Sequence, residues 1–149
     1  MATVELRFSA LPAHVRTARL VAAAVARRSG VDEAVLDELR LAVGEACSRA
    51  VHLHRLHCPD IPVMVMLVDD EGAFSVTVAD EAPQDRAEDA SPLAELASVA
   101  EVSESVDLEL EELVPEVGLA VISGLVEDVE VEPRGQGGLA VRMRWPIPA

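Results

Sequence analysis

The sequence predicts an α+β fold, a two-layer α/β sandwich in which helices cover one face of a mixed, mostly antiparallel sheet. Stretches with apolar residues at helical spacing follow one another, and pairs of alternating β-rich runs are joined by short turns. The predicted order is strand, two helices, hairpin, variable segment, helix, hairpin. Runs of helices beside antiparallel strand pairs favour helices packed on one face of a sheet.

The first third of the chain supplies one strand and two helices. The opening segment TVELRF alternates apolar and polar residues, as a half-buried strand does, and SALP ends it. Apolar residues at helical spacing predict a helix over 14–28, ended by Ser29 and Gly30. Asp32 is a suitable N-cap for a second helix, whose apolar stripe extends over 35–51.

The rest of the chain supplies two hairpins, a variable segment and a third helix. The runs VMVMLV at 63–68 and AFSVTVAD at 73–80 are joined by a turn, which indicates a hairpin. The segment 81–112 is rich in carboxylates with Arg86 as its one base, and we expect either a solvated loop or an acidic helix there. Pro115 begins a third helix, EVGLAVISGLVED, and VEVEP and LAVRMRW form the last strand pair.

Composition limits the possible functions. A chain of 149 residues with 50% hydrophobic content predicts one domain over 1–149 with a substantial core. The net charge of −15 argues against nucleic acid and anionic membranes as partners, since both require clustered cations. No apolar run is long enough to span a membrane and no export signal is evident, so we expect a cytoplasmic protein with two reduced cysteines.

Two polar clusters lie near the end of the second predicted helix. Glu45 and Arg49 share one helix face, which predicts either an i,i+4 ion pair or a catalytic glutamate whose working partner has been replaced. The stretch HLHRLHC at 52–58 carries potential zinc ligands, but no second distant ligand cluster accompanies it. We therefore predict no metal site and interpret this stretch as a polar helix end.

Six segments together point to a known family: ELRFSAL, Ala18-Arg19, LRLAVGEACSRAV, VADEAP, GLAVISGLVEDVEVE and GGLAVRMRW. In order and spacing they resemble the bacterial anti-sigma-factor serine kinases of the RsbW and SpoIIAB type, within the superfamily of histidine-kinase-like ATPases. The resemblance covers almost the whole chain. It implies a Bergerat-type ATPase fold in which the acidic segment at about 81–112 corresponds to a variable lid.

The resemblance implies catalytic positions that are altered here. The family's E-x-x-x-N box supplies a glutamate base and a magnesium-binding asparagine, and the corresponding residues are Glu45 and Arg49. A guanidinium offers only donors, so direct magnesium coordination is lost. The family's D-x-G-x-G box recognises adenine through its aspartate. The chain keeps Asp80 and replaces the first glycine by Ala82, followed by a proline and a glutamine.

The phosphate-binding positions implied by the resemblance are altered too. The family's G-x-G before a helix corresponds to Glu116, Val117 and Gly118, so a carboxylate stands where the helix N-terminus should receive phosphates. A family threonine near the last strand corresponds to Leu139 or Ala140. We therefore expect a degenerate nucleotide pocket, an inherited but inactive base at Glu45, and no ATP or other cofactor.

Two classes of function follow from the resemblance. The first is an anti-sigma factor that acts by protein binding: it sequesters a sigma factor and is released by an anti-anti-sigma partner of the STAS type. The second is an active serine-protein kinase that phosphorylates this antagonist with Mg-ATP, for which asparagine at 49 and glycines at 82 and 116 would be expected. We favour the first, in which the protein is not an enzyme. The resemblance also implies that Arg19 contacts the sigma factor and that a homodimer is possible.

Overall fold

The computed structural model describes residues 2–70, 72–83, 118–135 and 137–148. These contain five strands and three helices, which we number in chain order: β1 (Ala2–Phe8), α1 (Pro12–Ser29), α2 (Glu33–His57), β2 (Val63–Asp70), β3 (Ala73–Ala79), α3 (118–125), β4 (Asp128–Pro133) and β5 (Leu139–Pro146). The predicted helix start at Pro115, and most of the predicted acidic lid, lie outside the described residues.

The first two helices begin and end where their capping residues require. Pro12 occupies the first turn of α1, where its missing N–H needs no partner. Gly30 ends α1 with φ of 103°, and its N–H donates to the carbonyls of Ala26 and Arg27. The side chain of Asp32 accepts from the N–H of Ala34 at 3.0 Å, which confirms the predicted N-cap of α2. In the described part of the chain, no helix is long and apolar enough to cross a bilayer.

The strands form one sheet in the order β1-β2-β3-β5-β4. Each of its four pairings is antiparallel, so within the described strands the sheet contains no parallel pair and is simpler than the mixed sheet we expected. Alternate residues of β5 are buried, as in a strand with one face against a helical layer. The α+β fold class predicted from the sequence is therefore confirmed.

The core lies between the sheet and the helices. Its largest fully buried side chains come from both layers: Leu36, Leu39, Leu67, Phe74, Ile122 and Met143. Each such side chain stabilises the fold by about 1.5 to 3 kcal/mol on transfer from water. This packing holds the second half of α2 against the sheet, next to the end of β3.

The predicted site residues lie together at one end of the sandwich. The end of β3 and the start of β5 are neighbours there, and the N–H of Asp80 donates to the carbonyl of Leu139 at 3.0 Å. The described start of α3, at Gly118, packs against α2 between Glu45 and Arg49. Elements that are distant in sequence therefore meet at this end of the sandwich.

Cys47 generates a prediction about stability at alkaline pH. Burial raises the pKa of its thiol to about 12, against about 9 for an exposed thiol. The unfolded chain releases this proton above about pH 9 while the native protein keeps it, so stability falls as pH rises from 9 towards 12. The chain contains no lysine or tyrosine, so few other side chains titrate in this window.

We expect the free energy of unfolding to fall by about 2 kcal/mol between about pH 8 and pH 10.5, measured by urea denaturation. The comparison is made in a Cys58→Ser background, which removes the second thiol. Adding Cys47→Ala should abolish most of this slope, although it lowers stability at every pH. Equal slopes with and without Cys47 would contradict the assignment.

Candidate functional site

A buried ion pair lies at the centre of the predicted pocket. Nη1 of Arg49, on α2, donates to Oδ2 of Asp80 at 2.8 Å, and the two side chains are 4% and 1% exposed. The two residues are 31 positions apart, so the pair ties the helical layer to the end of β3. A charge pair this far from water is held only where geometry is good and other hydrogen bonds satisfy the remaining oxygens.

The second oxygen of Asp80 is also occupied. Oδ1 accepts from the backbone N–H of Ala82 at 3.1 Å, which folds the loop after β3 back over the carboxylate. Ala82 is itself fully buried. Both oxygens of the Asp80 carboxylate therefore have a protein donor, and the chain after it covers the position.

The turn between β4 and β5 closes over the same residue. Nη1 of Arg134 donates to the main-chain carbonyl of Asp80 at 2.9 Å. Gly138 has φ of 89°, and a Cβ at that position would overlap this carbonyl. Only glycine permits the close approach, since it combines a left-handed backbone with the absence of a side chain.

His54 fixes the loop from the other side. This fully buried side chain has Nδ1 at 2.7 Å from the carbonyl of Ile61 and Nε2 at 2.9 Å from the backbone N of Glu81. A carbonyl requires a donor and an N–H requires an acceptor, so the contacts assign a neutral ring with its proton on Nδ1. His54 thus joins α2, the loop before β2 and the loop after β3.

The Glu45–Arg49 pair expected from helical spacing is not formed. Arg49 turns to Asp80, and among the described residues no ion pair or hydrogen bond joins it to Glu45. Glu45 is half-buried, and its Oε2 lies 3.9 Å from the position that a Cβ on Gly118 would occupy. The Arg49 Nε is buried without a partner in the described part of the chain. Arg49 pairs with Asp80 rather than Glu45 because Asp80 is more deeply buried, and a more deeply buried carboxylate loses more free energy when it has no cation beside it.

Of the remaining predicted residues, Leu139 lies beside this pair and Arg19 lies on α1. Leu139 is buried at the start of β5, hydrogen-bonded through its carbonyl to Asp80. Arg19 is exposed on α1, and its Cδ lies 2.6 Å from where a Cβ on Gly44 would be. The aliphatic part of Arg19 therefore packs on α2 one residue before Glu45. Glu116 lies outside the described residues.

The histidine-rich stretch is the polar end of α2, as predicted, except that the side chain of His54 is buried. Both nitrogens of His54 are engaged within the protein, so neither is free to bind a metal. Burial, followed by the charges of Asp80 and Glu81, raises the pKa of Cys58 and disfavours its thiolate. Over the described ranges, no group of three or more histidine, cysteine or carboxylate side chains is placed to hold a metal.

Three residues that shape this site were not predicted as site residues from the sequence: His54, Arg134 and Gly138. A signal existed for Gly138, because Gly137-Gly138 directly before a strand is typical of a tight turn with positive φ. Nothing in the sequence distinguishes His54 from its neighbours His52 and His57. The contact of Arg134 depends on how the β4–β5 turn meets the end of β3.

Groups of the protein itself cover the Asp80 carboxylate. Each oxygen of the Asp80 carboxylate accepts one hydrogen bond from the protein, and the side chain is 1% exposed, so a ligand could reach it only if the groups that cover it moved. Arg49 supplies positive charge where a metal-binding oxygen would be required. The half-buried carboxylate of Glu45 is the one group of the predicted catalytic set that remains chemically available among the described residues.

Comparisons with known proteins agree with the fold. The model of the family described as "Histidine kinase-like ATPase domain" matches residues 8–145. A comparison with curated proteins finds no match. Among solved structures, the crystal structure of the RsbU and RsbW domains of Rv1364c from Mycobacterium tuberculosis is similar, with a TM-score of 0.65 at 16% identity. The similarity covers 99% of this chain and 32% of that one, so the chain spans about a third of that protein's length.

The buried pair generates a stability prediction. Arg49→Met leaves the Asp80 carboxylate buried without a cation, and we expect it to lower the free energy of unfolding by about 3 to 5 kcal/mol. The double variant Arg49→Met, Asp80→Asn removes both charges and should recover most of this loss. Urea denaturation measures the free energy of unfolding of the wild-type protein, the single variant and the double variant.

The exposed pair between Arg142 and Glu130, 3.8 Å apart, provides a matched control. Arg142→Met should cost less than about 1 kcal/mol, because solvent screens exposed charges. A loss for Arg49→Met no larger than that for Arg142→Met would contradict a buried, coupled pair. So would a double variant less stable than Arg49→Met alone.

Proposed function

Since the chain belongs to the histidine kinase-like ATPase domain family, we propose that it acts as an anti-sigma factor through protein binding, with its nucleotide pocket closed to ATP. In this proposal it sequesters a sigma factor in the cytoplasm and releases it when a STAS-type anti-anti-sigma partner binds. The observation that carries the proposal is the buried ion pair between Arg49 and Asp80.

Adenine recognition is opposed by the state of Asp80. In families of this fold the aspartate accepts from the adenine amino group, as the resemblance implied. Here the Asp80 side chain is 1% exposed, so a ligand reaches its carboxylate only if Arg49 or the loop at Ala82 moves away, which breaks the hydrogen bond that the moving group donates. Leaving the Arg49 guanidinium buried without its carboxylate would cost several kcal/mol, more than one adenine hydrogen bond returns.

Metal and phosphate binding are opposed by charge and chemistry. Magnesium requires oxygen ligands, and the side chain at 49 carries a guanidinium engaged with Asp80. The carboxylate of Glu45 stands near the described start of α3 at Gly118. This carboxylate repels a phosphate group brought to the same place, because both are negatively charged.

Protein binding accounts for what remains. The core and the sheet are intact, and the structure with RsbU and RsbW domains shares the fold, which supports a place in a partner-switching system. Arg19 is exposed on α1, with its stem packed on Gly44 so that fewer rotamers are lost on contact with a partner. The net charge of −15 favours encounter with a basic protein surface.

One observation favours the alternative of an active serine-protein kinase. Glu45 is half-buried, and the described residues hold no ion-pair partner for it, so a carboxylate base is present. A base alone transfers no phosphoryl group, because the reaction depends on metal and phosphate positioning. The binding proposal therefore accounts for more of the site.

The proposal predicts a stoichiometric complex that forms without nucleotide. Native protein is captured from its source cells, bound sigma or STAS proteins are identified by mass spectrometry, and the partner is purified for surface plasmon resonance. We expect the same Kd with and without Mg-ATP. Arg19→Ala should weaken the sigma complex by about 1 to 3 kcal/mol and leave the thermal midpoint nearly unchanged.

Arg16→Ala is the matched control, since Arg16 is also an exposed arginine of α1. Its effect on sigma affinity should be below that of Arg19→Ala. Unchanged affinity in Arg19→Ala would remove Arg19 from the interface. A complex that required Mg-ATP, or transfer of labelled phosphate to a STAS partner, would overturn the proposal in favour of the kinase.

A further inference from the structure

One face of the sheet points away from the helices, and we call it the outer face. Strand register separates the two faces, because Val63, Val65 and Leu67 of β2 lie in the core and the residues that alternate with them point outward. The outward positions form three rows across β1, β2, β3, β5 and β4: Thr3-Val68-Ser75-Arg144-Asp128, Glu5-Met66-Thr77-Arg142-Glu130 and Arg7-Met64-Ala79-Ala140-Glu132. Each strand therefore contributes one column of side chains to the outer face.

The outward side chains of β2 do not suit a face in water. Those of β1, β4 and β5 are mostly charged, as expected where an antiparallel sheet has one face against the core and one in solvent. On β2 the outward positions hold Met64, Met66 and Val68, which are half-buried and do not belong to the core cluster of the described residues. The strand therefore has the sequence VMVMLV without alternation, a pattern typical of strands that are covered on both faces.

Small side chains on β3 form the floor of a trough along the outer face. Ser75 and Ala79 are 7% and 5% exposed and Thr77 is half-buried, and the longer side chains of β2 and β5 lie on either side of them. Neighbouring strands are about 4.8 Å apart, so the columns of β2 and β5 are about 10 Å apart. An α-helix with its side chains is about 10 to 12 Å wide. One helix laid along β3 would therefore contact both columns.

The two sides of the trough differ in charge. The methionines and Val68 make the β2 side apolar, whereas Arg142 and Arg144 make the β5 side basic, and both arginines are exposed. Arg142 lies 3.8 Å from Glu130, and among the described residues no ion pair involves Arg144. Although the chain carries a net charge of −15, two cations therefore lie beside an apolar strip and are available to the carboxylates of a partner.

We propose that the outer face binds an amphipathic helix of a partner protein, laid along β3 with its apolar stripe on β2 and carboxylates along the side that faces Arg142 and Arg144. The thioether side chains of Met64 and Met66 adapt to varied apolar shapes, which suits such a contact. Carboxylates one helical turn apart are separated by about 6 Å, close to the distance of about 7 Å between alternate residues of β5, so two of them can pair with two arginines. Arg19 lies in the helical layer, so this proposal does not depend on the anti-sigma proposal.

NMR of the methionine methyl groups reports on the outer face directly. Of the four methionines, Met64 and Met66 lie on this face, whereas Met143 is 0% exposed in the core and serves as an internal control. The full chain, labelled with carbon-13 at these methyl groups, is titrated with a peptide of three repeats of Leu-Glu-Gln-Leu-Glu-Ala-Gln, whose glutamates lie along one side of its leucine stripe. We expect saturable shifts of the Met64 and Met66 signals, assigned with Met64→Leu and Met66→Leu, while the Met143 signal stays in place.

A second peptide, with lysine in place of every glutamate, separates the local contact from attraction to overall charge. The net charge of −15 attracts the lysine peptide more strongly, whereas the arginines of β5 favour the glutamate peptide. We expect the glutamate peptide to bind at the Met64 and Met66 signals with a Kd at least about tenfold lower than that of the lysine peptide.

Two double variants test the basic side of the trough. Arg142→Gln with Arg144→Gln removes both of its charges, and we expect the Kd of the glutamate peptide to rise about tenfold. Arg16→Gln with Arg28→Gln removes the same charge from exposed positions of α1 and should change this Kd less than about twofold. Circular dichroism verifies that both variants are folded.

The proposal is overturned if neither methyl signal shifts saturably at glutamate-peptide concentrations up to about 1 mM, if the lysine peptide binds as tightly, or if the two double variants weaken binding equally. Movement of the Met64 and Met66 signals when the free protein is diluted would assign the outer face to a second copy of the chain. Protection of both methyl groups from a dissolved gadolinium chelate in the free protein would mean that the chain's own residues cover this face. Either of these results would overturn the proposal as well.

Discussion

The ion pair between Arg49 and Asp80 determines how the end of β3 can be arranged. Two charges removed from water are tolerated only if each finds its partner, and Asp80 finds both Arg49 and the N–H of Ala82. That requirement folds the loop after β3 back on itself and buries Ala82. His54 and Arg134 then hold the main chain on either side, and Gly138 provides the space.

The same constraint bears on the residue at position 49, where the resemblance to the anti-sigma-factor kinases implies an asparagine. An asparagine at 49 would leave the Asp80 carboxylate free to accept from a ligand, whereas an arginine there satisfies the carboxylate from within the protein. The buried, unpartnered Nε of Arg49 shows that the guanidinium is not fully satisfied in return. Arg49 therefore holds the loop after β3 closed, while the ion pair itself contributes little net stability.

The fold could be predicted from the sequence because its signals are local. Alternation in TVELRF and in the hairpin, helical spacing in α1 and α2, and the cap at Asp32 each depend on a few neighbouring residues. The site residues Asp80, Leu139 and Gly118 were found only through resemblance to a family. Of the two alternatives for Glu45 and Arg49, the structure does not show the ion pair, because helical spacing indicates the neighbour on the same face while the real partner of Arg49 depends on where β3 ends beside α2.

Both ends of the sandwich hold a buried donor that the described residues leave without a partner. At one end, Arg49, Ala82 and Arg134 all donate hydrogen bonds to Asp80, yet the Nε of Arg49 remains unpartnered. At the other end, the indole Nε1 of Trp145 is buried without a partner. The hydrogen bonds around Asp80 therefore cover that position without satisfying every group there.

The most direct measurement of the central claim is a nitrogen-15 NMR spectrum of the arginine side chains, recorded with and without millimolar Mg-ATP. We expect that the Nε–H resonance of Arg49, assigned through its own side-chain carbons, exchanges slowly with water and does not move when nucleotide is added. A saturable shift of that resonance would contradict the account, since it would mean that nucleotide opens the Arg49–Asp80 pair and enters the pocket.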